Sequence, residues 1–186
     1  ELAKKGIEMV DAPVSGGEPK AIDGTLSVMC GGKEETIEKY RDLLMTMAGS
    51  VVRCGDLGAG NVAKLANQIV VACNIAAMSE ALAFATKMGA DPELIYKAIR
   101  GGLAGSTVLD AKAPMVLSRS FKPGFRIELH IKDLTNALNA AHAINGYVPL
   151  TGQVMEMMQA VKNDGCGAED HSALAKYYEK ISNVTI

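Results

Sequence analysis

Apolar residues recur along this chain in two rhythms. Up to about residue 55 they come in short runs bounded by glycines, and residues 7–11, 25–30 and 51–54 predict three strands. Between the last two, Ile37, Tyr40, Leu43, Leu44 and Met47 fall at helical spacing, so residues 33–47 predict a helix. A strand, a helix and a strand in that order form a crossover, the unit of a parallel or mixed sheet. After residue 60 only the helical rhythm remains.

The first of these helices is expected over about 61–88, apolar on most faces and so buried on several sides. Gly89 ends it, and Asp91-Pro92 supplies the cap and first-turn proline of the next. Further helices are predicted over 92–100, 106–117 with a kink at Pro114, 129–145, 150–163 and 170–180, the last capped by Asp170. The chain thus divides into an α/β segment, 1–57, and an all-α segment, 58–186, linked by the long helix. Three strands make a poor sheet on their own, so the first segment reads as the tail of a larger α/β domain.

Composition narrows the function classes. With 186 residues, 48% of them hydrophobic, the chain is long enough to bury roughly 70% of its unfolded surface. Nineteen basic against 21 acidic residues give a net charge of −2 with no basic stripe, which argues against nucleic acid as a partner. Cys30, Cys54, Cys73 and Cys166 lack CxxC spacing and read as reduced, structural thiols. No signal peptide pattern opens the chain, and Asn74 and Ser79 interrupt the longest apolar run. The expectation is a cytoplasmic protein without a membrane span. His130, His142 and His171 are scattered without metal-ligand spacing, so no metal is expected.

Three segments carry candidate chemistry. In the first, Gly58-Ala-Gly60-Asn-Val-Ala63 matches a dinucleotide-binding G-x-G-x-x-G/A pattern, but the acid twenty residues on, Glu80, lies in the same helix instead of on a second strand. The cofactor reading is therefore rejected here. Lys64 shares a helix face with Asn67 at i and i+3, among Val62, Ala63, Leu65, Ala66, Ile69 and Val70. Spacing leaves a solvated lysine and a functional one equally open. Residues 11–17, Asp-Ala-Pro-Val-Ser15-Gly16-Gly17, follow a predicted strand and offer a hydroxyl with unshielded amides for an anion, or simply a turn. Phe125, Lys132 and Asp133 stand near a helix start, where the plain alternative is a surface ion pair.

Taken together and in order, DAPVSGG, G-x-G-x-x-x-K with its following Asn, and Phe-x6-Lys-Asp-Leu resemble the β-hydroxyacid dehydrogenase family, over the whole chain. The resemblance implies the tail of an NAD(P)-binding Rossmann domain followed by an all-α domain like the C-terminal one of 6-phosphogluconate dehydrogenase. It implies that the opening G-x-G-x-x-G element lies ahead of Glu1, and that residues 1–186 alone turn over little substrate. By the same resemblance Lys64 is the catalytic general acid. Ser15, Gly16 and Gly17 hold a substrate carboxylate, and Asn67 or Gln68 orients the substrate hydroxyl. Lys132, with Phe125, lies on the cofactor side, with Asp133 as an orienter. The implied substrate is a small carboxylated aldehyde or hydroxyacid, the implied cofactor NAD or NADP, and the implied assembly a homo-oligomer through the helical domain. The other reading, a non-catalytic dimerisation module, is opposed by the joint retention of Lys64, Ser15 and Asn67.

Overall fold

In the computed structural model, which describes all 186 residues, a short strand Val14–Ser15 (β1) runs antiparallel to Leu26–Gly31 (β2). Strand β2 in turn lies parallel to Ala48–Gly55 (β3). Between the first two strands comes a short helix, Gly17–Ile22 (α1), and between the last two come Glu34–Lys39 (α2) and Arg41–Met45 (α3). The parallel crossover expected from the apolar rhythm is therefore present. Alternation on β2 turns Leu26, Val28 and Cys30 inward, where Val28 and Cys30 meet Ile37, Ala48 and Val51.

Two expectations in this region need correction. Residues 7–10 form no strand, because no strand lies alongside them to complete a ladder. Asp11 alone of that run joins the sheet, through reciprocal backbone hydrogen bonds of 3.0 and 2.8 Å with Gly31. The crossover helix is also broken at Tyr40, whose backbone leaves the helical region (φ −110°, ψ 10°). Of its five periodic apolar residues only Ile37 and Leu44 pack, while Tyr40, Leu43 and Met47 stay exposed, so a straight helix has no continuous face to bury.

These residues belong to a first compact unit, Glu1–Asn67; the second is Gln68–Ile186. The expected boundary at 57/58 falls where the long helix α4, Ala59–Lys87, starts. The packing boundary lies ten residues later, inside that helix. Its inner face in the second unit presents Ala72, Ile75, Met78, Ser79, Leu82 and Ala83 to the core, and Ser79 satisfies its hydroxyl on the Ile75 carbonyl at 2.7 Å. Val70, Ala77, Ala81 and Phe84 remain exposed, so the helix buries one side rather than several. By length and composition α4 is apolar enough to cross a membrane despite Asn74 and Ser79, against the expectation above. Within the second unit its apolar side chains serve as the central helix of a packed core.

Around it stand Pro92–Ile99 (α5), Thr107–Leu117 (α6), Ile127–Ala143 (α7), Pro149–Val161 (α8) and Ala175–Ser182 (α9). Asp91 caps α5 by accepting from the Glu93 and Leu94 amides, and Ser106 caps α6 at the Leu109 amide. Helix α6 continues through Pro114. Asp170 caps a single 3-10 turn, His171–Leu174, that leads into α9, so the final helix begins later than predicted. Ile75, Leu82, Leu134, Met158 and Leu174 are fully enclosed, each contributing about 1.5–3 kcal/mol by leaving water.

Candidate active site

In the first unit the DAPVSGG segment and the start of α4 are joined by Asp11. Its buried carboxylate accepts the Gly58 amide at 2.6 Å through Oδ1 and the Asn61 amide at 2.7 Å through Oδ2. A carboxylate there satisfies donors that a helix start leaves unpaired and matches the helix dipole. The glycines around it make room. A Cβ on Gly60 would lie 2.3 Å from the Met29 carbonyl oxygen, and one on Gly31 would lie 2.3 Å from Asp11 Oδ1. The Gly58–Gly60 pattern is thus filled by the protein's own carboxylate and backbone.

Ser15 leaves β1 half-buried and donates its hydroxyl to Asn67 Oδ1 at 3.4 Å. Gly16 and Gly17 follow with φ of 138° and 66°, backbone that favours glycine, and both are exposed. Lys64 lies one turn before Asn67 on the same face of α4. It is half-buried rather than enclosed, since Val62 beside it faces solvent. The first unit therefore brings Ser15 to the helix face that carries Lys64 and Asn67.

In the second unit Gln68 is buried and donates through Nε2 to Asp133 Oδ2 at 2.7 Å. The other carboxylate oxygen of Asp133 takes the exposed Lys132 ammonium at 3.1 Å. The two neighbouring amides thus engage different groups, Asn67 a serine hydroxyl and Gln68 a carboxylate. Phe125 is half-buried, and its ring packs edge-on to His130 with centroids 5.7 Å apart and tilted to His171 at 5.5 Å. Behind it, Asp170 is fully buried, accepting the Lys112 ammonium at 3.0 Å and the amides of Gly124, Phe125 and Ser172. Burial alone would raise its carboxyl, but the neighbouring His171, the Ser172 amide and Lys112 together hold it below the usual range. Burial, reinforced by Lys112 and His130, pushes the His171 ring down to about 3 against the pull of Asp170, so it is neutral at ordinary pH.

Asp11, Asp170, His130 and His171 carry this architecture and were not among the sequence candidates. Apart from the Ser172 amide, which the predicted cap at Asp170 accounts for, these side chains bond to groups 40 or more residues away, beyond the reach of any local spacing rule. The one available signal for Asp11 was its place at the head of a glycine-rich segment ending a strand-like run.

Comparison with known proteins adds an independent line. Residues 58–178 match the family model described as the NAD-binding domain of NADP-dependent 3-hydroxyisobutyrate dehydrogenase, and residues 1–55 match that of the NAD-binding domain of 6-phosphogluconate dehydrogenase. The chain is 43% identical to 2-hydroxy-3-oxopropionate reductase of Escherichia coli, over 98% of this chain and 63% of that protein. It is 36% identical to 2-(hydroxymethyl)glutarate dehydrogenase of Eubacterium barkeri, over 99% of this chain and 62% of that one. Among solved structures, 3-hydroxyisobutyrate dehydrogenase of Mycobacterium tuberculosis with L-serine aligns at a TM-score of 0.86 and 33% identity, covering 94% of this chain and 62% of that chain. That of Salmonella typhimurium aligns at 0.84 and 31%, with the same coverage. The chain therefore spans a little over three fifths of the length of the relatives it matches. It belongs to the 3-hydroxyisobutyrate dehydrogenase, or β-hydroxyacid dehydrogenase, family.

Proposed function

We propose that the protein reduces tartronate semialdehyde (2-hydroxy-3-oxopropanoate) to D-glycerate with NADH or NADPH, with Lys64 as the general acid. The observation that supports this reading most directly is the Ser15 hydroxyl on the Asn67 amide, on the helix face that also carries Lys64. NAD or NADP, when bound, supplies the hydride. Lys64 donates its proton to the oxygen that becomes an alkoxide, a charge present mainly in the transition state and so worth more there than in the bound aldehyde. Asn67 orients that oxygen, and Ser15 with the Gly16 and Gly17 amides holds the carboxylate. Gln68, engaged with Asp133, anchors the helix instead of touching substrate.

On the cofactor side, the exposed Lys132 ammonium and the half-buried Phe125 ring have the polarity and shape to flank the nicotinamide end. The Gly58–Gly60 turn does not fit a pyrophosphate, because Asp11 already fills the helix start. Four free thiols fit a reducing cytoplasm. The exposed apolar residues of α4 in the second unit, Val70 and Phe84 with Leu150 from α8, support pairing with a second copy.

The test is cofactor oxidation by the intact protein, measured with tartronate semialdehyde and, in the reverse direction, with 3-hydroxyisobutyrate, the other short β-hydroxyacid that the relatives bring into view. Lys64→Ala should lower kcat about 10²- to 10⁴-fold while fold and cofactor affinity stay as they were. Unchanged turnover in that variant overturns the reading.

A further inference from the structure

Two buried histidines in the second unit have no part in the reaction described so far. His130, on α7, is fully enclosed, with Nε2 lying 3.1 Å from the carbonyl oxygen of Gln68. A carbonyl only accepts, so that nitrogen carries the hydrogen. The other ring nitrogen, Nδ1, lies 2.9 Å from Nδ1 of His171, and only one hydrogen fits between two such nitrogens. With His130 neutral and protonated at Nε2, its Nδ1 is the acceptor and His171 Nδ1 the donor. The two rings are therefore neutral in opposite tautomers.

The groups around the pair favour this state. Lys112 on α6 and Asp170 beside His171 are already matched to each other, and Asp133 on α7 is engaged by Gln68 and Lys132. A second proton on His171 would enter an enclosed space close to the Lys112 ammonium, and His130 beside it is fully enclosed as well.

What the pair holds is also on view. Gln68 is gripped twice from α7, its carbonyl by His130 and its side chain by Asp133, residues one turn apart. Phe125 is gripped three times: its amide by Asp170, its carbonyl by the His171 amide, and its ring by both imidazoles.

We propose that His130 and His171 form an opposite-tautomer pair sharing one hydrogen, and act as positioning residues for Phe125 and for the Gln68–Asp133–Lys132 chain. The proposal rests on the reading of Phe125 and Lys132 as the cofactor-side residues. It predicts that cofactor affinity depends on a hydrogen-bond donor at the His171 Nδ1 position.

Two measurements test it in the intact protein. Long-range ¹H–¹⁵N spectra of histidine-labelled protein between pH 5 and 8 should show both rings neutral and unchanged, His130 protonated at Nε2 and His171 at Nδ1. Titration of either ring in that range, or identical tautomers, overturns the pair. Kinetically, His171→Leu should raise KM for NADH or NADPH about tenfold with a smaller change in kcat. His171→Asn, whose side-chain nitrogen sits where Nδ1 was, should restore most of the affinity. Equal KM in both variants overturns the positioning role, and should the leucine variant fail to fold, a wild-type KM must still appear in His171→Asn. Failure of the Lys64→Ala test would remove the enzymatic reading while leaving the tautomers to be read; wrong tautomers in an enzyme that depends on Lys64 would remove only the pair.

Discussion

The two units of this chain are organised by different means. The first, Glu1–Asn67, has a core of only Val28, Cys30, Ile37, Ala48 and Val51, and its order depends on backbone approaching backbone around the Asp11 carboxylate. The second, Gln68–Ile186, packs twenty buried hydrophobic residues into one core and encloses Asp170, His130 and His171 as well, and its order depends on side chains filling space and satisfying one another. Side-chain volume at a few glycine positions should therefore govern the first unit. Apolar packing and the protonation of enclosed groups should govern the second.

The most severe way to break this contrast is Gly60→Ala. The added methyl has backbone oxygens at 2.3 and 2.9 Å and, at 2.8 Å, the Asp11 carboxylate, which is itself pinned by the Gly58 and Asn61 amides, so the strand or the helix start must shift. Urea denaturation should show a loss of about 3 kcal/mol. A loss too small to measure would show that the first unit yields like a surface turn.

Acid should act next, and on the second unit. His171 stays neutral in the fold down to about pH 3, whereas in the unfolded chain it takes up a proton from about 6.5 downward. The unfolded state binds the extra proton, so stability falls as the pH drops between those values. Asp170, its carboxyl lowered in the fold, adds to the loss below about 3.8. Thermal unfolding from pH 7 to 4 should show a falling Tm, and His171→Asn should flatten the slope. An unchanged slope would mean that other groups carry the acid sensitivity.

The smallest expected effect sharpens the contrast from the other side. Asp11→Asn keeps the size of the side chain but turns one of its two accepting oxygens into an NH2, which would face the backbone N–H of Gly58 or Asn61 donor to donor, and it removes the charge that matches the helix dipole. It should cost about 2 kcal/mol in the same denaturation measurement.

Much of the helical unit was legible in the residues themselves. Gly89, Asp91-Pro92 and Ser106 are local stop and start signals, and α5 and α6 begin within a residue of where these place them. The first unit was less legible. Residues 7–11 have the composition of a strand, but a ladder needs a neighbour, and only Asp11 finds one. The crossover helix reads as continuous because periodicity counts apolar residues without knowing which will be covered, and Tyr40, Leu43 and Met47 are not. For the same reason spacing leaves Lys64 open between a solvated and a functional lysine, and the structure places it half-buried. The grouping of Ser15 with Asn67 follows only from the resemblance, since 52 residues separate them. The histidine pair was dismissed as scattered because 41 residues lie between its members, and a buried hydrogen bond leaves no mark on spacing.

Asp11, Gly31 and Gly60 occupy what is effectively one volume. The carboxylate lies where a side chain on either glycine would have to go. Neither glycine can take a side chain without displacing that carboxylate. A substitution at either glycine is therefore also a substitution in the surroundings of the Asp11 carboxylate, and through it a disturbance of the two amides that open the long helix.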